Sequence, residues 1–253
     1  MRYPSRSGPS QPPADEDNPY WVSFSDIMAG LLVVFILATV ALMLQLIERK
    51  ETLTDKMKEL TKAVKVRETI VLTIQERLRE QNIMVEVTEN ESIIRIPEEE
   101  LNFKTMSYDI PESQQDSVRI IGRVLYEEIS FIELDTGMSR SSYLDTVFVE
   151  GHTDNRPTSE TKVVYGNWGL STLRALSLWK YWDEFSNKNQ SLALLKNHNN
   201  KPLFSVSGYG AGRPVTAQQT NEEEWKRNRR IDIRFTVKQP TLKDYEKIRA
   251  DSL

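Results

Sequence analysis

Asp26 is the residue with the plainest chemical potential, a single carboxylate at the head of a long apolar run. It lies five positions past Trp21, roughly 7–8 Å further along a helix axis. Placing a carboxylate at the centre of a membrane-spanning helix costs on the order of 3 kcal/mol, and less near an end. In one reading Ser23, Ser25 and Asp26 cap a helix N-terminus, the carboxylate reaching water and the helix dipole. In the other, Asp26 takes up and releases an ion along a protein-lined path, with desolvation making its neutral form accessible. Three further clusters carry side chains able to bind. Gly151-His152-Thr153-Asp154-Asn155 follows a strand pattern, and Asn167-Trp168-Gly169-Leu170-Ser171 with Arg174-Ala175 opens a helical one. The third joins Gly208-Tyr209-Gly210 and Arg213-Pro214-Val215 to Asn228-Arg229-Arg230-Ile231-Asp232-Ile233. His152 near Asp154 could suggest a general base, but no nucleophile accompanies it, and no catalytic residue is assigned.

The elements that must position these residues differ in kind along the chain. From Ile27 to Leu44 runs IMAGLLVVFILATVALML, eighteen residues without a charge. About 20 apolar residues span a bilayer core of roughly 30 Å, and Tyr20-Trp21 stands where an aromatic belt would lie. The acidic Asp15-Glu16-Asp17 upstream, the length of the run and the lack of a cleavage site argue against a signal peptide. Residues 20–47 are therefore expected to form one transmembrane helix after a disordered tail over 1–19. Beyond it a heptad begins, with Leu46, Leu53, Leu60 and Ile74 at one position and Met57, Val64, Val71 and Leu78 at the other. It predicts a coiled-coil neck over 48–82 that joins two parallel copies, interrupted at Lys50, Arg67 and Gln81. The alternative is an amphipathic helix lying on its own domain.

Residues 83–238 read as one mixed α/β sandwich, so the whole is of α+β class. A hairpin is expected from Met84–Thr88 and Ile93–Ile96, helices from Pro111 to Ile129 and Leu170 to Phe185, and strands at Thr146–Glu150, Leu203–Ser207 and Ile231–Val237. Thr136–Ser142, Ser186–Pro202 and Ala211–Asn228 read as loops, and residues 239–253 as a loosely held tail. Trp168, Trp179 and Trp182 read as core and rim packing.

Composition removes whole classes. The 253 residues hold 33 Lys and Arg against 37 Asp and Glu, a net charge of -4, which offers no field to attract a nucleic-acid backbone. Cysteine is absent and histidine occurs only twice, which excludes disulfides, thiolate zinc, cysteine nucleophiles and Cys-linked lipid anchors. No cofactor or metal is expected.

The three clusters, in order between Phe148 and Phe235, resemble the OmpA-like peptidoglycan-binding domain, and most of all that of MotB-type stator subunits. The text around Tyr20-Trp21-Val22-Ser23-Phe24-Ser25-Asp26-Ile27-Met28-Ala29-Gly30-Leu31-Leu32, with the heptad neck, is more similar still to the ZorB family of Zorya anti-phage systems. The resemblance implies that Asp154 and Arg174 grip the zwitterionic end of a diaminopimelate residue in a cell-wall stem peptide. A guanidinium can clamp a carboxylate with two parallel donors while Asp154 accepts from an ammonium. Thr153, Asn167, Leu170 and Arg229 are carried over as members of the same peptidoglycan-binding pocket, and Ser171 with the helix N-terminus would add anion-friendly donors. A structural Asp154–Arg174 ion pair is the competing reading. Trp225 stands where the family usually has arginine, and twelve residues separate Asp154 from Asn167.

The resemblance further implies that Asp26 carries the ion, a proton by preference. Two copies of this chain would sit inside a polytopic MotA/ZorA-like subunit, five copies to two. It places the protein in the bacterial inner membrane, N-terminus cytoplasmic and domain periplasmic, although the Lys/Arg count around the helix favours the reverse. The expected function is an ion-driven, wall-anchored motor subunit serving anti-phage defence; a flagellar-type stator subunit and a passive wall tether are the alternatives.

Overall fold

The computed structural model describes residues 19–185 and 190–238. The expected tails, up to residue 18 and from residue 239, lie outside them, as does part of the expected loop at 186–202. The described residues form a mixed α+β protein that divides into two compact units, one ending at Asp55 and one beginning at Lys56. Helix α1, Pro19–Glu80, enters both.

In the first unit α1 is apolar all round from Ile27 to Leu44, and every residue from 20 to 51 is exposed. Among the described residues it is the one helix long and apolar enough to cross a membrane. Its polar side chains can be satisfied within the helix, as when Thr39 Oγ1 donates to the Ile36 carbonyl at 2.8 Å. Trp21 and Phe24 meet edge to face at 6.1 Å.

In the second unit five strands form a sheet in the order β1-β2-β5-β3-β4. They are β1 Glu86–Thr88, β2 Ile93–Pro97, β3 Leu144–His152, β4 Phe204–Gly208 and β5 Arg230–Val237. Only β3 and β4 run parallel; β5 lies antiparallel between β2 and β3. The helices are α2 Gln115–Ser130, α3 Gly166–Phe185 and α4 Glu222–Asn228. Strand periodicity sends Val147, Val149, Ile231, Ile233 and Phe235 into one apolar core with Ile121, Leu125 and Ile129 of α2 and Leu178 of α3. The alternate residues make a charged opposite face. There Arg95 and Arg230 bind Asp232 at 3.0 and 2.9 Å, and Arg234 binds Glu150 at 3.1 Å.

The expected hairpin forms, and its turn puts Glu89, Asn90 and Glu91 at φ of 52°, 53° and 51°. Such left-handed backbone is unfavourable for non-glycine residues. Arg67 donating to the Asn90 carbonyl at 2.8 Å and Arg234 binding Glu89 at 2.7 Å brace it.

Two expectations need correction. The neck is not a single uncommitted seam: Ala63, Val66, Ile70, Val71, Ile74 and Leu78 are buried in the core of the second unit. Arg77 reinforces that docking through Glu127 and Glu128, the latter at 2.6 Å. Ile74, Val71 and Leu78, three of the heptad positions, thus face their own domain, whereas Leu53 and Met57 stay 60% and 68% exposed. The second correction lies in the expected 211–228 loop, which contains α4. Asn221 and Glu224 close a reciprocal capping box at its start.

Candidate functional site

Strand β3 and helix α3 make the site by passing unusually close. A Cβ on Gly151 would stand 2.0 Å from the Ser171 carbonyl oxygen, a backbone atom with nowhere to go. Glycine at that point lets the end of β3 lie against the first turn of α3. The chain leaving β3 is tied to the end of β4 by Thr153 N–H donating to the Gly210 carbonyl at 3.0 Å. Ser171, fully buried, accepts the Gly210 N–H at 2.9 Å and donates to the Trp168 carbonyl at 3.0 Å. Its hydroxyl fastens the chain leaving β4 to α3.

The result is a cleft of about 960 Å³ that brings together all six expected residues, Thr153, Asp154, Asn167, Leu170, Arg174 and Arg229. Asp154 does not pair with Arg174. Its Oδ2 accepts from Arg156 Nη2 at 2.6 Å, Arg156 Nε at 3.1 Å and Arg229 Nη1 at 2.7 Å. Its Oδ1 accepts the Arg156 backbone N–H at 3.0 Å. Burial alone would raise the Asp154 carboxyl, but the hydrogen bonds from Arg156 and Arg229 outweigh it and hold it below the usual carboxylate range.

Arg229 is locked. It meets both oxygens of Glu98 at 2.5 Å and Glu222 at 2.5 Å. Burial opposes its charge, yet Glu98, Asp154 and Glu222 together raise its pKa well above the ordinary arginine value. Arg174 is the opposite case. It is buried, donates among the described residues to the backbone carbonyls of Ser107 at 3.0 Å and Lys104 at 3.3 Å, and lies over the Phe103 ring at 5.1 Å. Burial without a direct carboxylate partner pulls it down to about 10. At neutral pH it is therefore a buried cation whose nearest anions are already committed to other arginines.

Asn167 shapes the wall. Its Nδ2 donates to the carbonyls of Asp154 and Arg156 at 3.2 and 2.9 Å, and its Oδ1 accepts from Thr158 Oγ1. Leu170 supplies apolar floor, and the buried Thr153 Oγ1 has no hydrogen-bond partner among the described residues. Sequence reasoning missed Glu98, Arg156, Glu222 and the 102–107 segment. Arg156 was findable, standing two places after Asp154; the others reach the cleft only through the fold. Trp225, at the departing position, donates from Nε1 to Asn155 Oδ1 at 3.0 Å and the Gln219 carbonyl at 2.9 Å. Its ring carries the Arg156 guanidinium at 4.5 Å. Among the described residues no cluster of His, Asp or Glu could hold a metal ion.

The OmpA family matches residues 102–229, half of the chain, which include every residue lining this cleft except Glu98. The chain belongs to the OmpA family. Within it, likeness runs to ZorB and to MotB-type proteins. The Zorya protein ZorB of Escherichia coli is 24% identical over 238 residues, covering 91% of this chain and 93% of that protein. Motility protein B of Bacillus subtilis is 30% identical over 87 residues, covering 34% of this chain and 28% of its own length. The crystal structure of a MotB-like protein from Desulfovibrio vulgaris shares the fold, with a TM-score of 0.52 at 14% identity over 72% of this chain and 98% of that one.

Proposed function

We propose that this OmpA-family protein is the cell-wall-anchored subunit of an ion-driven membrane motor of stator type, serving anti-phage defence. The observation that carries the wall-binding half is Arg174. A buried guanidinium bound only by carbonyls, in a cleft with Asp154 nearby, is suited to a ligand that brings a carboxylate and an ammonium together. The zwitterionic end of diaminopimelate in a peptidoglycan stem peptide has that chemistry. In the bound state Arg174 would take the carboxylate while Asp154 turns to the ammonium, with Thr153 Oγ1 and the Leu170 surface completing the pocket.

The motor half rests on α1. Its apolar length suits a single crossing of the inner membrane, and Asp26 would load and release a proton against a polytopic ZorA- or MotA-like ring of five copies around two of this chain. The exposed part of the heptad, from Leu46 through Leu60, would pair the two copies. The likeness to ZorB along most of both chains favours defence over motility, with the domain in the periplasm.

The full chain should sediment with isolated diaminopimelate-type peptidoglycan. Arg174→Ala and Asp154→Ala should each reduce the bound fraction about tenfold or more, the scale of a lost charge-assisted hydrogen bond. Unchanged binding by both variants, folded by circular dichroism, would remove the cleft from the wall contact.

A further inference from the structure

Arg156 occupies the place that a ligand ammonium must take. Three N–H groups already converge on Asp154 Oδ2, two from Arg156 and one from Arg229. A carboxylate offers about four acceptor sites in all, and the remaining oxygen already takes the Arg156 backbone N–H. Oδ2 is therefore filled, and an incoming ammonium that takes this oxygen has to displace one of the two guanidiniums.

The two differ in how easily they leave. The Arg229 side chain is 13% exposed and tied to Glu98 and Glu222 as well as Asp154. The Arg156 side chain is 46% exposed and has somewhere to rest. Trp225 lies under it at 4.5 Å and Glu222 Oε2 stands 3.3 Å from its Nη1. Trp225 is itself fixed by its two Nε1 hydrogen bonds, so this resting place is preformed.

We propose that Arg156 is the specificity-determining residue of the cleft, a tethered competitor that makes binding conditional on a ligand bearing both an ammonium and a carboxylate. An ammonium alone removes Arg156 from Asp154 and leaves its guanidinium with the weaker cation–π contact to Trp225 and the exposed ion pair with Glu222. A zwitterion returns the lost interaction, since its carboxylate can be met by Arg174 and by the freed Arg156. Five cationic side chains, Lys104, Arg156, Arg174, Lys226 and Arg229, against the carboxylates of Glu98, Asp154 and Glu222 leave the cleft net positive, which disfavours a ligand that is only cationic.

This deepens the wall-binding reading and rests on it. The test uses the full chain in detergent with two soluble probes, the tripeptide L-Ala-γ-D-Glu-meso-diaminopimelate and its L-lysine counterpart. The second keeps the terminal ammonium and lacks the carboxylate beside it. The parent protein should prefer the first peptide by about tenfold or more. Arg156→Gln should bind the lysine peptide more tightly than the parent does and narrow the preference to about threefold or less, whereas Arg156→Lys, which keeps a competing cation, should restore much of it. An equal loss on both peptides, or an unchanged ratio in a variant that melts like the parent, would overturn the inference and leave wall binding standing. If the folded parent binds neither peptide, the wall-binding reading falls and this inference with it.

Discussion

His152 shows how a residue whose type suggests chemistry can be assigned a structural role by its surroundings. It is 3% exposed, stacks on Tyr209 at 5.3 Å, and neither ring nitrogen has a hydrogen-bond partner among the described residues. Burial, and then the neighbouring Arg230, push it down to about 3 from an ordinary 6.5, so it is neutral in the fold. Between those values the unfolded chain binds a proton that the folded chain refuses, and by linkage stability rises with pH across that interval. The stabilising effect is complete above about pH 6.5 and declines as pH falls toward 3. His152→Gln should flatten the dependence of the melting midpoint on pH between 6.5 and 4, a range above the depressed carboxyls of Asp154 and Asp232. Parallel curves for parent and variant would contradict this origin. The six expected residues could be named because each sits in a short motif, and the fold gathers them in one cleft. Their partners were not: Glu98 and Glu222 reach Arg229 from the end of β2 and from α4, and no local pattern announces a carboxylate's distant guanidinium. Asp154 and Arg174 line one cleft without pairing, so the competing reading of a structural ion pair between them does not hold, and Arg156 and Arg229 pair with Asp154 instead.

At the scale of elements, periodicity served well wherever one face decides an element's fate. The alternating strands and the α2 stripe, with Val118, Ile121, Leu125 and Ile129 buried, were readable for that reason. Helix α4 went unread because its seven residues are mostly charged and bury only Asn228, although Asn221 and Glu224 mark its start. The neck misled more instructively. A heptad reports an apolar stripe, and the stripe does not say whether it meets a second copy or its own domain. Here α1 buries Ile70, Ile74 and Leu78 fully in the domain core, while Leu53 and Met57 remain exposed. Ile74→Ala should therefore destabilise the domain by about 2–5 kcal/mol, seen as a lower denaturant midpoint. Leu53→Ser with Met57→Ser should leave that midpoint in place and weaken self-association measured by sedimentation. The reverse pattern would return the whole heptad to a dimer seam.

For the molecule as a whole, the two proposed activities are separated along the chain. The apolar part of α1 carries Asp26, and the cleft belongs to the unit that begins at Lys56. A tether needs only the second unit, whereas a motor also needs a carboxyl that changes charge beside its partner ring. Asp26→Asn preserves the size and polarity of the side chain but cannot release a proton at any physiological pH. In cells that also express the polytopic partner, it should abolish protection against phage and any proton leak attributable to the complex. Membrane insertion and peptidoglycan sedimentation should match the parent, because neither draws on the charge of that side chain. Loss of insertion and sedimentation along with protection would mean that Asp26 is needed for insertion or folding, in keeping with a capping role for Ser23, Ser25 and Asp26. Full protection by a normally expressed Asp26→Asn protein would leave a passive tether as the surviving function. Selective loss of protection, with wall binding intact, is the outcome that ties ion flow to this one carboxylate.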